Sequence, residues 1–142
     1  MSPQEELHSI LVEGKASLGM AVGIVSRIEG DDYTVVALES EYDGFNEGDV
    51  YELGKTYCRD VALNHKTMTY PNVSQISEML KHPVYLSTQL RAYIGAPVVI
   101  NDGFWGTLNF SSQIPRNSDF SADEYQLVER LAARVAAVIA AN

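Results

Sequence analysis

The most constraining feature of this chain lies at residues 92–111. Two β-type runs, 92–100 and 104–111, are separated there only by Asn101-Asp102-Gly103. Val, Ile, Tyr, Phe and Trp suit a pleated, half-buried surface, and an Asp-Gly pair between two such runs is a strong tight-hairpin signal. Strands joined that closely must pair antiparallel, which excludes both an all-helical bundle and an all-parallel sheet. A second pair reads the same way, with a Val- and Ile-rich run at 20–28, turn residues Gly30-Asp31-Asp32, and a further β-type run at 33–38. A short strand at 68–70 is stopped by Pro71.

Helices are expected at both ends. Ser2, Pro3 and Glu5 supply a cap, a first-turn proline and the far half of a capping box. Leu7, Ile10 and Leu11 then make one apolar stripe, so the pattern predicts a helix over 2–16, ending near Gly14 or extending toward Leu18. Ser121 and Glu124 form a second capping box, and 125–141 holds neither Gly nor Pro, which predicts a helix over 121–141. Val128, Leu131, Val135 and Val138 recur every three or four residues, a narrow seam of the coiled-coil kind, and are expected to pair across a homodimer. Between the two hairpins, 41–54 reads as a loop and 56–64 as a helix with Cys58, Val61 and Ala62 on one face. Residues 72–89 read as irregular helical turns broken at His82-Pro83. The expected class is α+β, with a central antiparallel sheet of about five to six strands and the terminal helices on one face. The 142 residues are expected to form a single domain, with sheet and middle helices over 20–111.

Charge and composition narrow the function. Ten basic against nineteen acidic residues leave a net charge of −9, which argues against a nucleic-acid surface and against direct contact with anionic membranes. The one cysteine, Cys58, allows no internal disulfide, and His8, His65 and His82 lie too far apart to share a helix face as metal ligands, so no metal site is expected. The polar, acidic start is unlike a signal peptide, and no apolar run reaches bilayer-spanning length; a cytoplasmic location is expected.

The last third carries a more specific pattern. Tyr93-Ile94-Gly95-Ala96-Pro97-Val98, Asp102-Gly103, Trp105-Gly106-Thr107-Leu108-Asn109-Phe110-Ser111-Ser112 and Phe120-Ser121-Ala122-Asp123-Glu124 together resemble the end of a GAF domain. Leu18-Gly19-Met20 leading into Gly23-Ile24-Val25-Ser26-Arg27-Ile28 resembles its beginning, and Leu53-Gly54-Lys55-Thr56-Tyr57-Cys58 the entry to its second helix. The resemblance spans roughly Leu18 to Val138 and is nearest to GAF domains attached to bacterial sensor histidine kinases and cyclic-nucleotide signalling enzymes. It implies a sheet with the first and last helices on one face and a ligand pocket under the middle helices and loops on the other.

Strand alternation then assigns faces. Leu108 and Phe110, with Ile94, Ala96 and Val98, should meet the terminal helices; Thr107, Asn109 and Ser111, with Tyr93 and Gly95, should face the pocket. Tyr57, Tyr70 and Tyr85 fall in the segments that should roof it, and Cys58 sits beside them. The candidate ligand-binding residues are therefore Tyr57, Cys58, Tyr70, Tyr85, Tyr93, Thr107, Asn109 and Ser111.

No catalysis is expected. One branch of the family reduces free methionine sulfoxide, but that chemistry needs further cysteines and pocket carboxylates where this chain has Tyr93, Asn109 and Ser111. Bilin-binding relatives attach chromophore through a cysteine commonly followed by histidine; Cys58 is followed by Arg59 and lies too early in the fold. Haem would need an axial ligand, for which His65 and His82 are the candidates by sequence order. No cofactor is assigned. The expected function is a small-molecule-sensing module of a two-component or related signalling protein, relaying ligand binding through its terminal helices to a kinase or cyclase output domain. The alternatives are a ligand-free homodimerisation module and, further off, a thiol-based redox enzyme or sensor using Cys58.

Overall fold

The computed structural model describes residues 1–142. Helix α1 spans Pro3–Leu18, followed by β1 (Val22–Glu29), β2 (Asp32–Ser40), β3 (Val50–Glu52), α2 (Arg59–Asn64), β4 (Met68–Tyr70), α3 (Pro83–Thr88), β5 (Ala92–Ile100), β6 (Gly103–Ser112) and α4 (Ala122–Ala140). Short 3₁₀ turns occupy Leu53–Lys55, Val73–Gln75 and Ser77–Met79. The six strands form one sheet in the order β3-β2-β1-β6-β5-β4, antiparallel at every pairing.

Both helix starts are fixed as the sequence predicts. The Ser2 hydroxyl accepts from the Glu5 N–H and the Glu5 carboxylate from the Ser2 N–H; Ser121 and Glu124 repeat the pair at α4. Each cap satisfies orphan donors worth about 1 kcal/mol. At the other end, α1 runs through Gly14 and stops at Gly19, which adopts the left-handed conformation with φ 66°. Gly14 is therefore not a stop signal. It sits over the ring of Phe110, and any Cβ there would collide with that ring, so glycine is what lets α1 settle on the sheet.

The turn between β5 and β6 is also placed differently from the Asp-Gly reading. Asn101 (φ 52°) and Asp102 (φ 64°) take the two left-handed positions, and Gly103 is already paired with Ile100. Asn and Asp tolerate that region better than other non-glycine residues, so the hairpin stands with its turn one residue earlier. The predicted 41–54 loop contains the short edge strand β3, which pairs with β2 at Asp32–Thr34 and is exposed at all three residues. The helix expected over 56–64 begins only at Arg59, with Cys58 as its N-cap residue.

Two apolar clusters lie on opposite sides of the sheet. The larger joins Leu7, Ile10 and Leu11 of α1 and Val128, Leu131 and Val135 of α4 to Ile94, Ala96, Val98, Leu108 and Phe110. This corrects the dimer assignment. Val128 and Val135 are wholly buried and Leu131 is 1 % exposed within the single chain, and Val138 packs against the same cluster. The α4 seam is occupied by the chain's own sheet and α1, so Val128, Leu131 and Val135 are not a surface for a second copy, while Val138 is only partly covered; their spacing reflects intramolecular packing on a 3.6-residue helix.

Strand parity holds along most of β6 but breaks at one point. Val98 pairs with Gly106 and Val99 with Phe104, so Trp105 is an extra residue, a bulge. Past it the faces exchange: Trp105 packs on the helix side and Phe104 on the other. Trp105 shares Thr107's parity in the sequence but not its face.

Candidate functional site

The second cluster lies on the opposite face and is of different make-up. It contains Tyr33, Tyr57, Cys58, Val61, Val73, Leu90 and Tyr93 with Val22, Ile24 and Val35. Set among these apolar groups are four buried polar residues, Ser26, Thr107, Asn109 and Ser111. Ser26 Oγ and Thr107 Oγ1 are 2.6 Å apart, and Cys58 Sγ lies 3.2 Å from Thr107 Oγ1 and 3.0 Å from the Tyr93 hydroxyl. The Asn109 amide donates to the Tyr33 hydroxyl and to Thr107 Oγ1, each at 3.2 Å. Gly95 makes this possible: a Cβ there would collide with the Tyr93 hydroxyl, which instead crosses the strand to reach Cys58.

This network is closed on its sheet side and open on the other. Ser26, Tyr33, Cys58, Tyr93 and Thr107 all have hydrogen-bond partners, and no side-chain N or O atom is both enclosed and unpaired. Asn109 Oδ1 and Ser111 Oγ, on residues only 4 % and 3 % exposed, have no partner in the protein. Both residues line a cavity of about 620 Å³ between the sheet, the 42–45 loop, the 55–58 turn and α3. That volume falls in the range of small-molecule sites, which combine apolar walls with a few convergent polar groups.

Burial sets the chemistry of the ionisable groups. It raises the Cys58 thiol above its ordinary value even though Thr107 and Tyr93 bond to the sulfur, and it raises the phenols of Tyr33 and Tyr93 well above theirs. The two cations near Cys58 in sequence point outward: Lys55 lies beside Glu52 and Arg59 beside Asp60, both cations more than half exposed. Burial also lowers His82, whose ring lies 5.0 Å from that of Tyr57 and whose Nδ1 accepts from the Val84 N–H as the cap of α3. His65 stacks on Phe104 at 5.1 Å. Neither histidine lines the cavity, and no group of three His, Cys, Asp or Glu is placed to hold a metal ion.

Of the eight residues singled out from sequence, Tyr57, Cys58, Tyr93, Asn109 and Ser111 line the cavity, and three do not. Thr107 lies beneath it as the hub of the network. Tyr70 supports the wall from behind, its ring 5.8 Å from those of Tyr57 and Tyr93 and its hydroxyl bonded to Asp60. Tyr85 packs against the same cluster without lining the cavity, with the Arg91 guanidinium over its ring. The sequence reading missed Tyr33, Tyr42, Phe45 and Tyr51. Tyr33 was recoverable, because its β2 parity matches that of Val35 on the cavity face; the other three depend on how the 41–54 segment folds back.

The GAF domain family model matches residues 2–139. No curated protein matches the sequence. Among solved structures, the GAF domain of an Acinetobacter phosphoenolpyruvate-protein phosphotransferase superposes with a TM-score of 0.79 at 16% identity, over 99% of this chain and 84% of that one. The blue-light absorbing form of the Thermosynechococcus elongatus PixJ GAF domain gives 0.74 at 18% identity, over 98% and 85%. The chromophore-binding domain of a bacteriophytochrome from R. palustris gives 0.78 at 13% identity, over 99% of this chain and 56% of that one.

Proposed function

The chain belongs to the GAF domain family, and from that premise we propose that it is a small-molecule-sensing module that binds its ligand in the cavity over β5 and β6. The observation that carries this reading is the pair of nearly buried polar atoms, Asn109 Oδ1 and Ser111 Oγ, which face the cavity with no partner in the protein. Neither atom is sealed in the core, so both are reached through the cavity and are free to exchange water for the polar groups of a ligand.

A relay route is proposed on the same grounds. Tyr42, Asp43, Gly44 and Phe45 line the cavity, and Glu47, two residues further along the loop, lies 2.7 Å from His8 Nε2 on α1 while also accepting from the Leu38 N–H. His8 Nδ1 is 2.6 Å from Glu39 of β2. Helix α1 in turn meets α4 through the shared apolar core and an exposed Arg134–Glu13 pair at 2.9 Å. A ligand that repositions the 42–45 loop therefore acts on a segment bonded to the terminal helix. Any output domain in a longer parent, kinase or cyclase, would read that motion provided the ligand favours one loop arrangement over the other.

The readings of the family's other members do not transfer intact. The photoreceptor relatives hold a chromophore, whereas the thiol here is enclosed and bonded to Tyr93 and Thr107, unsuited to a thioether link or to redox turnover. No helix is long and apolar enough to cross a membrane.

The test is thermal denaturation across a panel of nucleotides, amino acids, tetrapyrroles and aromatic metabolites. A ligand that binds only the folded state adds about 2.7 kcal/mol of stability at a hundredfold excess over its Kd. A shift that disappears on Asn109→Leu is the expected result. A panel without any shift would favour a ligand-free dimerisation module, and light scattering on the same sample would then report the dimer directly.

A further inference from the structure

We infer that the cavity is built for a small organic cation with a flat aromatic body and N–H donors; this rests on reading the cavity as a ligand site, and three independent features point to it.

The first is the polarity of the inner wall. Asn109 uses its amide N–H groups on Tyr33 and Thr107, so what it presents to the cavity is an acceptor, Oδ1. A ligand meets that atom favourably only with a donor of its own. The second is the make-up of the walls. Six of the 21 lining residues are aromatic, Tyr33, Tyr42, Phe45, Tyr51, Tyr57 and Tyr93, in a chain that is 9% aromatic. Ring faces carry negative charge density and attract desolvated cations. The third is the charge at the rim. Asp43 and Glu52 face a single cation, Lys55, which lies 3.7 Å from Glu52, while Asp43 has no ion-pair partner. No arginine lines the cavity, and the whole chain carries −9. An anionic ligand would meet repulsion at the entrance and, at the floor, the Asn109 acceptor with the Ser111 hydroxyl as its one free donor; a cation is attracted at the rim and finds acceptors in both floor residues.

Benzamidinium, benzamide and benzoate test this directly, since they share size and planarity and differ in charge and donors. In calorimetric titrations of the intact chain at low ionic strength, benzamidinium should bind about tenfold tighter than benzamide, and benzoate weakest of the three. The double variant Asp43→Asn, Glu52→Gln changes two rim residues outside the core and should weaken benzamidinium about fivefold more than benzamide. Benzamide or benzoate binding as tightly as benzamidinium would overturn the cationic class while leaving the cavity reading intact. Benzamidinium binding that ignores the double variant would overturn it too, by placing recognition elsewhere. If none of the three binds, the class is wrong; the cavity reading then stands or falls on the wider thermal panel.

Discussion

On β6, Leu108 and Phe110 lie against α1 and α4 with no solvent exposure, whereas Thr107, Asn109 and Ser111, each one residue away, look into a different environment. The helix-facing side is closed by two capped helices and apolar side chains, with the one buried hydroxyl on that strand face, Ser112, already bonded to the Ala21 N–H. The opposite side is covered by short helices, 3₁₀ turns and a long loop, and hydroxyls, a thiol and an amide are buried among its apolar groups. One side holds the fold together and the other leaves hydrogen-bonding capacity unused. The contrast teaches that a strand's alternation assigns residues to faces, while the length and regularity of the covering elements decide whether a face can afford to stay open.

The comparison can be broken most severely on the closed side. Val135→Asp places a carboxylate among Leu7, Leu131 and Phe110 with no partner, and an unpaired buried charge costs on the order of 4 kcal/mol or more. The expected outcome is loss of the cooperative urea transition and of near-ultraviolet circular dichroism. A folded variant that merely changed from dimer to monomer would restore the α4 seam as an intermolecular surface. Phe110→Ala should cost about 3–5 kcal/mol in the same urea experiment, through lost burial and the cavity left under Gly14. It should leave probe binding on the other face intact.

Asn109→Leu inverts that pattern. It removes two donors, to Tyr33 and Thr107, so a smaller loss of about 1–3 kcal/mol is expected, together with loss of the ligand-induced thermal shift. If Phe110→Ala abolished the shift and Asn109→Leu preserved it, the assignment of the two faces would be reversed. The smallest effect lies outside both faces, at the α4 cap. Partial burial raises the Glu124 carboxyl, but bonds from the Ser121 N–H and Arg116 outweigh it and hold the group below its ordinary value of 4.5. Its stabilising contribution is therefore full above that value and is lost as the pH falls through it and below. Glu124→Gln should lower stability at pH 7 by less than about 1 kcal/mol, with the difference fading in acid.

Much of this was legible in the chain itself. Capping boxes at Ser2 and Ser121 gave both long helices, and the 92–111 hairpin with its alternation gave the two faces of β5 and β6. What escaped depends on tertiary context. Gly14 reads as a helix end until Phe110 is known to lie beneath it. The seam Val128-Leu131-Val135-Val138 has the same spacing whether a helix packs on its own sheet or on another chain, so periodicity alone could not decide. Trp105 changes face because a bulge adds one residue to β6, which nothing local announces. Tyr42, Phe45 and Tyr51 reach the cavity because the 41–54 segment folds back over it around an exposed three-residue strand, too short to leave a pattern.

The most direct measurement is a heteronuclear NMR titration of the isotope-labelled chain with charged and neutral aromatic probes, followed at the Asn109 side-chain amide and the Leu108 methyls. The account predicts saturable shifts at Asn109, Ser111 and the 42–45 loop, with Leu108 and the inner residues of α4 left near their starting positions. Shifts concentrated at Leu108 and Phe110, with the Asn109 amide unmoved, would contradict it.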